Sequence, residues 1–254
     1  MNKKSCWYIL LLFLLPVILS GQEEEYPIKK QDTVSSAIEF RFGFGIPRLA
    51  FASANDQKPE AGYANTGTFF SASYIKLIKP YIGINVQYAS GSNNLREDIL
   101  SDDIKKSLIE SGQPVNGNYS MDFGRYKWQQ IMIGPVLYIK EPNYTVVARF
   151  LGGNFSLSVP EIEATMSYTD KIYAEFQYGT KENILTLLFG GGLQFNFSER
   201  FNLQIMADYL QNNMKFTTRK ISTDGENENT ENIEFKRKVS MVTLSAGIQY
   251  KFFK

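Results

Sequence analysis

Charged and amide side chains lie between apolar neighbours in several alternating stretches of this sequence. They are Glu39, Arg41, Arg149, Asp208, Gln194, Gln204, Gln249 and Lys251. Carboxylates and guanidinium groups that share a cavity can form a proton or ion path. The alternative is a filled interior, because buried charges need partners and would form a hydrogen-bonded plug of salt bridges. The width of the surrounding fold decides between these two interpretations.

The chain contains no histidine. Its absence excludes Ser-His and Cys-His nucleophilic pairs, histidine acid–base catalysis and most transition-metal sites. A serine–lysine or carboxylate-only mechanism stays open, although no spacing indicates one. The acidic segment from Asp224 to Glu231 resembles a calcium loop only in its carboxylates, since it lacks the EF-hand glycine and terminal glutamate. We therefore predict a non-enzymatic protein without cofactors.

The N-terminus has the pattern of a secretory signal peptide. Lys3 and Lys4 precede an apolar run that ends at Leu19 and is too short for a membrane-spanning helix. The sole cysteine, Cys6, lies at the start of that run, so we expect neither a lipid anchor nor a disulfide. We predict a signal peptide over residues 1–21, a flexible periplasmic tail over 22–34 and one folded domain over 35–254.

Hydrophobic alternation predicts eight β-strands in the folded domain. The clearest is the last, where residues from Val242 to Phe252 alternate between large apolar and small or polar side chains. The strands are expected at about 36–46, 67–77, 82–88, 126–139, 144–155, 185–197, 201–209 and 239–251. Short turns alternate with long polar connections, which is typical of a transmembrane barrel with an apolar outer face and a polar inner face. Pro135 is expected to require a β-bulge.

These features predict an all-β fold, an eight-stranded antiparallel up-and-down transmembrane β-barrel. Eight strands leave an interior just wide enough for side chains. The inward set Glu39, Arg41, Arg149, Asp208, Gln194 and Gln204 is therefore interpreted as a lumen plug.

The second external loop contains the pattern of a short helix, from a cap at Asn94 to Gly112. Leu100, Ile104 and Leu108 repeat every fourth residue and form an apolar stripe. The stripe could dock a partner or lipophilic ligand. We favour a lid on the barrel rim, because a loop helix must bury its apolar face.

The architecture and the closing segment from Ala246 to Phe252 resemble small outer-membrane barrels of the OmpA-like transmembrane-domain and PorT-like types. The resemblance implies localisation in the outer membrane. It also implies that Ile248, Tyr250 and Phe252 form the C-terminal signal read by the barrel-assembly machinery. Lipid-modifying enzymes among such barrels use a catalytic histidine, which this sequence lacks.

We expect a monomer with a structural or surface-interaction role, or a subunit of an envelope or secretion machine. Its expected partners are outer-membrane lipid, lipopolysaccharide and an envelope protein. Lys236, Arg237 and Lys238 are candidates for lipopolysaccharide phosphates. A formal net charge of +1 without a basic excess indicates no nucleic-acid partner.

Two alternatives remain open. A small transporter would carry an apolar solute through an unpaired gap between strands and a lipophilic pocket beneath the second loop. A soluble periplasmic barrel would bind a ligand inside and would carry its apolar residues inward.

Overall fold

The structure, a computed structural model, describes residues 34–54, 61–110, 118–168, 171–224 and 227–253. The predicted signal peptide and the tail up to residue 33 lie outside the described residues. The strands are β1 (Val34–Pro47), β2 (Ala64–Lys79), β3 (Ile82–Leu95), β4 (Asn118–Phe123), β5 (Tyr126–Lys140), β6 (Thr145–Ser158), β7 (Ile162–Tyr168), β8 (Lys171–Gln177), β9 (Lys181–Asn196), β10 (Phe201–Asp224) and β11 (Asn227–Phe253). A 3-10 turn spans Leu49–Ala52, and helix α1 spans Glu97–Glu110.

Eight of these strands close into an antiparallel ring. Neighbours pair in the order β1-β2-β3-β5-β6-β9-β10-β11, and β11 pairs back onto β1. The closing ladder runs from Val34↔Phe253 to Pro47↔Met241. The predicted eight-stranded barrel is confirmed.

The two faces of the barrel wall differ as lipid on the outside requires. Phe42 is 67% exposed and Leu185 is 83% exposed on the outer wall. Arg41, one residue before Phe42, points into the lumen and is 0% exposed. A continuous apolar outer wall is unstable in water, and a closed barrel satisfies every strand within lipid. The protein is therefore an outer-membrane β-barrel, and the soluble barrel, which would need a polar outer face, is contradicted.

The two ends of the barrel differ. Tight turns join β2 to β3, β5 to β6 and β9 to β10 at one end. The other end carries α1, the 3-10 turn and three short strands outside the ring. Within the described residues, no helix is long and apolar enough to cross a membrane. The turn-bearing end is the periplasmic end, following the usual asymmetry of such barrels.

Several strands extend beyond the predicted bounds. β10 was expected at 201–209 but has 24 residues, and β11 was expected at 239–251 but has 27. Their outer halves continue above the apolar wall, where side chains are polar on one face and the apolar alternation is lost. β4, β7 and β8 have six or seven residues each and were missed within the long external connections.

The predicted bulge at Pro135 is wrong. Ile84↔Pro135 and Asn85↔Gly134 keep the register of β3 against β5 unshifted. On the β6 side, the ladder is interrupted between Ile133↔Gly152 and Val136↔Arg149 and resumes in the same register. The missing proline donor is thus accommodated by lost pairs rather than by an inserted residue.

Candidate functional site

Four charged side chains from three strands meet in the lumen. Arg41 Nε lies 2.5 Å from Glu39 Oε1, and Arg41 Nη1 donates to Asp208 Oδ2 at 3.3 Å. Arg149 Nε donates to Asp208 Oδ1 at 2.8 Å, and its Nη2 contacts the second oxygen of the same carboxylate. Two positive and two negative groups make the cluster neutral. Each is at most 5% exposed, so the charges depend on one another.

Glycines provide the room for this ion cluster. Gly190 of β9 pairs with Arg149 on one side and with Asp208 on the other. A Cβ on Gly190 would lie 1.9 Å from Asp208 Oδ1 and 2.9 Å from Arg149 Nε. Residue 190 must therefore lack a side chain for the ion pair to form across β9.

An amide layer lies on the periplasmic side of the cluster. Gln194 Nε2 and Asn202 Nδ2 both donate to Gln249 Oε1, at 3.1 and 3.0 Å. Gln204 Nε2 donates to Gln194 Oε1 at 3.4 Å. The structure thus places all six predicted lumen residues in one buried polar region.

Several members of this region were not predicted as site residues, and Gln87 and Asn202 are two of them. Gln87 Oε1 accepts a hydrogen bond from Arg41 Nη2 at 3.2 Å, and Asn202 belongs to the amide layer. Both occupy polar positions opposite apolar ones in their strands, which is the signal that could have identified them.

An apolar core fills the lumen on the external side of the ion cluster. Its largest member is Trp128, with Phe69 and Phe155 rings at centroid distances of 5.7 and 6.3 Å. Trp128 Nε1 donates to Asn93 Oδ1 at 3.0 Å, so its polar atom is satisfied. This core would separate the ion cluster from the external medium, which does not favour a proton or ion path.

The external loops cover the barrel mouth. Phe51 of the 3-10 turn is buried against Tyr126 at a ring distance of 5.0 Å. Tyr126 Oη donates to Gly62 O at 2.8 Å. Tyr63 Oη donates to Asp103 Oδ2 of α1 at 2.7 Å, which ties the first external loop to the helix of the second.

The helix α1 is close to its predicted bounds. Leu100 packs against the apolar core and Ile104 is half-buried, while the side chain of Leu108 lies outside the described residues. Leu100 therefore contacts the barrel mouth, as a lid would. The lid and docking roles of this stripe both remain predictions.

A seam opens in the wall on the external side. The β9–β10 ladder ends at Leu188↔Leu210, although β9 begins at Lys181 and β10 continues to Asp224. Above that point, a Thr186–Asn212 side-chain hydrogen bond continues the same register without backbone pairing. Met214 and Phe216 are buried behind the seam. The seam is an unpaired gap between strands that is filled from within.

A β-sheet projects from the external end of the barrel. β8 pairs with the end of β10 from Lys220↔Gln177 to Asp224↔Tyr173, and β7 and β4 follow in order. On β7, Ala164 and Met166 are buried, whereas Glu163 and Ser167 are exposed. This external sheet, formed by β4, β7, β8 and the outer ends of β10 and β11, has one covered and one open face.

The C-terminal residues lie on the outer wall at the periplasmic end. Ile248 and Phe252 are exposed, and Tyr250 lies 5.1 Å from the Phe201 ring and 4.9 Å from the Phe252 ring. These aromatic side chains form part of a girdle at the membrane boundary.

Other chemistry lacks support within the described part of the chain. No group of three or more Asp, Glu, Cys or His side chains there could hold a metal ion. Of the three basic residues proposed for lipopolysaccharide, Lys236 points outward. Arg237 instead stacks inward on Phe235 and Tyr126, at 4.9 and 5.8 Å.

No family model matches the chain, and no curated protein matches it. Among solved structures it is similar to Ail, the attachment invasion locus protein of Yersinia pestis, with 15% identity, a TM-score of 0.42, and coverage of 86% of this chain and 99% of that chain. Neisserial surface protein A has 12% identity, covering 85% of this chain and 97% of that chain, with a TM-score of 0.42. A major outer membrane protein of Thermus thermophilus has 12% identity, covering 85% and 99%, with a TM-score of 0.45. The fold assignment rests on the strand pairings and the apolar outer wall described above.

Proposed function

We propose that this outer-membrane barrel is non-enzymatic and acts at its external end, through surface interaction. The observation that carries the proposal is the filled lumen, with an amide layer, a neutral ion cluster and an apolar core in sequence along the barrel. In this proposal Glu39, Arg41, Arg149, Asp208, Gln194 and Gln204 act as the plug that keeps the barrel rigid and closed.

The external sheet is the proposed interaction surface. It continues from the rigid barrel through the long β10–β11 hairpin, whose pairing is unbroken from Phe201↔Tyr250 to Asp224↔Asn227. Polar side chains such as Glu163 and Ser167 are exposed on its open face. A rigid platform of this kind suits an envelope or extracellular protein partner, since ordering costs little on binding.

The experiment compares three strains of the host: wild type, a full deletion, and a version named barrel-only, in which residues 160–179 are replaced by a short turn. This replacement removes β7 and β8 and leaves β4 without its pairing strand. Heat-dependent gel mobility of the outer-membrane fraction confirms that the barrel-only version is folded. We expect it to restore detergent resistance but not surface adhesion or autoaggregation. If the barrel-only version corrected every defect of the deletion strain, the surface role would be contradicted and a purely structural role would be supported.

Within outer-membrane barrels, the eight strands and short periplasmic turns support the OmpA-like, PorT-like type proposed from the sequence. The barrel is proposed to be a monomer, because the ring closes without strands from a second copy. Ile248, Tyr250 and Phe252 are proposed as the signal for the barrel-assembly machinery, and the outward girdle they form supports this.

The β9–β10 seam favours a second candidate function, the release of an apolar solute sideways into the membrane. For transport, Met214 and Phe216 would have to move away from the seam and the lid would have to open. Lateral release therefore requires a conformation that differs from the filled barrel of the structure, whereas the surface role requires no such change.

A disulfide across the seam distinguishes the two functions. Thr186→Cys/Asn212→Cys joins positions whose side chains already touch across the seam. Leu193→Cys/Ile205→Cys is the matched control, because these positions pair within the closed ladder below and lie on the outer wall, away from the plug. If the seam carries solute, oxidising the first pair stops uptake of an apolar dye into vesicles and oxidising the control does not. Equal uptake with both pairs would exclude the lateral route.

A further inference from the structure

A groove of about 570 Å³ runs along the outer wall at the upper edge of the apolar belt. Strand register arranges its outward side chains in two rows. The upper row is Thr68, Ser92, Lys127, Ser158 and Lys181 on five adjacent strands. The lower row begins with Phe70, Ser90, Gln129 and Ser156. Small hydroxyl residues form the floor, while lysines, Gln129 and phenylalanines form the walls.

The height of the groove fixes which part of the lipid it meets. At the next outward-facing pair below the lower row, two residues along each strand, β3 and β5 expose Tyr88 and Ile131, which belong to the apolar belt. The Phe70 ring packs against the Phe42 ring at a centroid distance of 5.1 Å at the same edge. The groove therefore has acyl chains at its lower side and lipid headgroups at its upper side.

The two rows of the groove carry positive charge and no negative charge. Lys127 and Lys181 flank Ser158 in register, so their backbones lie two strand spacings, or about 10 Å, apart. Neither row contains a carboxylate, and neither lysine has an ion-pair partner among the described residues. Two exposed ammonium groups at the headgroup level attract phosphate.

A buried hydroxyl gives an independent indication. Ser156 lines the groove, is only 6% exposed, and its Oγ makes no hydrogen bond within the described part of the chain. Buried polar atoms nearly always have a partner, so this unpaired hydroxyl is available to a ligand in the groove. A polyhydroxylated ligand would supply that partner.

We infer that this groove binds one molecule of a phosphorylated, acylated sugar lipid of the outer leaflet, of the lipid A type. Lys127 and Lys181 contact its phosphates, the serine floor contacts its sugar, and Phe42 and Phe70 contact an acyl chain. The inference deepens the lipopolysaccharide partner proposed from the sequence. It rests on the membrane placement of the barrel and is independent of the role of the external sheet.

The test is native mass spectrometry of the folded full-length protein titrated with bisphosphorylated lipid A. Lys127→Gln/Lys181→Gln is expected to weaken binding about tenfold or more, since each lysine contributes to phosphate attraction. Lys215→Gln/Lys236→Gln is the matched control, because these lysines pair across β10 and β11 on a wall outside the groove. Ser156→Trp fills the groove but keeps both lysines, and it is also expected to abolish one-to-one binding.

Three outcomes would overturn the inference. Equal weakening by both lysine pairs would indicate general electrostatic attraction without a site. Undiminished binding by Ser156→Trp would place the lipid elsewhere. In a competition titration, phosphatidylglycerol that displaced bound lipid A as well as free lipid A does would indicate a site for a phospholipid headgroup instead of a phosphorylated sugar. None of these outcomes affects the surface role, which the barrel-only strain tests separately.

Discussion

The charge balance of the lumen depends on a residue that has no side chain. Gly190 lies between Arg149 and Asp208 in the sheet register, and the ion pair crosses β9 in the space above it. Gly191 faces the opposite side, where a Cβ would meet only Val147 O at 3.5 Å. Neighbouring glycines thus have different roles that follow from strand alternation.

Gly190→Ala is expected to lower the free energy of unfolding by about 1–3 kcal/mol, because it overpacks the buried ion pair. Gly191→Ala is the control and should change it by less than about 0.5 kcal/mol. Urea titration in lipid vesicles, followed by the fluorescence of the lumen residue Trp128, measures both. Equal losses of stability in the two variants would show that the ion cluster does not depend on the space over Gly190.

The sequence pattern predicted which charged side chains meet in the lumen, but it did not predict their individual hydrogen-bond partners. Alternation placed Glu39, Arg41, Arg149 and Asp208 on inner faces, and the structure brings them together. The partnership of Gln87 with Arg41 depends on the register of β3 against its neighbours, which side-chain patterns alone do not define.

At the scale of elements, the ring strands were predictable because the membrane imposes a strict period on them. The external sheet was not, because β4, β7 and β8 have only six or seven residues each and lie in long connections that were interpreted as loops. The alternation of apolar and polar side chains in β7 is the signal that could have identified it. The groove was also missed, because it consists of rows across strands rather than a pattern along one strand. Helix α1 was predicted from its cap and stripe, and Leu100 lies against the apolar core.

Leu100→Asp is expected to detach α1 from the barrel mouth, because an unpaired charge is costly to bury. Hydrogen exchange of the α1 amides should become about tenfold faster or more, corresponding to a loss of at least ~1.4 kcal/mol in local opening. Ile109→Asp on the same helix is the control, since Ile109 is exposed. Unchanged exchange in the Leu100 variant would favour a docking stripe over a lid.

Phe252→Ala is expected to slow assembly in cells, with less heat-shifted protein in the outer membrane, if the C-terminal girdle is the assembly signal. Phe201→Ala is the matched control, because Phe201 is an exposed aromatic of the same girdle at the start of β10. Refolding into vesicles should be similar for both. An equal assembly defect in the two variants would indicate lost lipid contact rather than a lost signal.

At the scale of the whole molecule, the barrel is closed around its circumference and filled along its axis. The periplasmic half holds amides and the ion cluster, the external half holds the Trp128 core, and α1 and the 3-10 turn cover the mouth. Interactions of this protein are therefore expected on its outer surfaces, namely the external sheet and the lipid-facing groove.

Single-channel recording of the folded protein in a planar bilayer tests this account most directly. Because the lumen is filled by side chains, we predict no steady conductance steps above background in about 1 M salt. At that concentration the salt screens charges over a distance of about 3 Å. Heat-dependent gel mobility of the same sample shows that the barrel is folded. A stable open level whose conductance rises with salt concentration would contradict the filled lumen and make a channel the leading function.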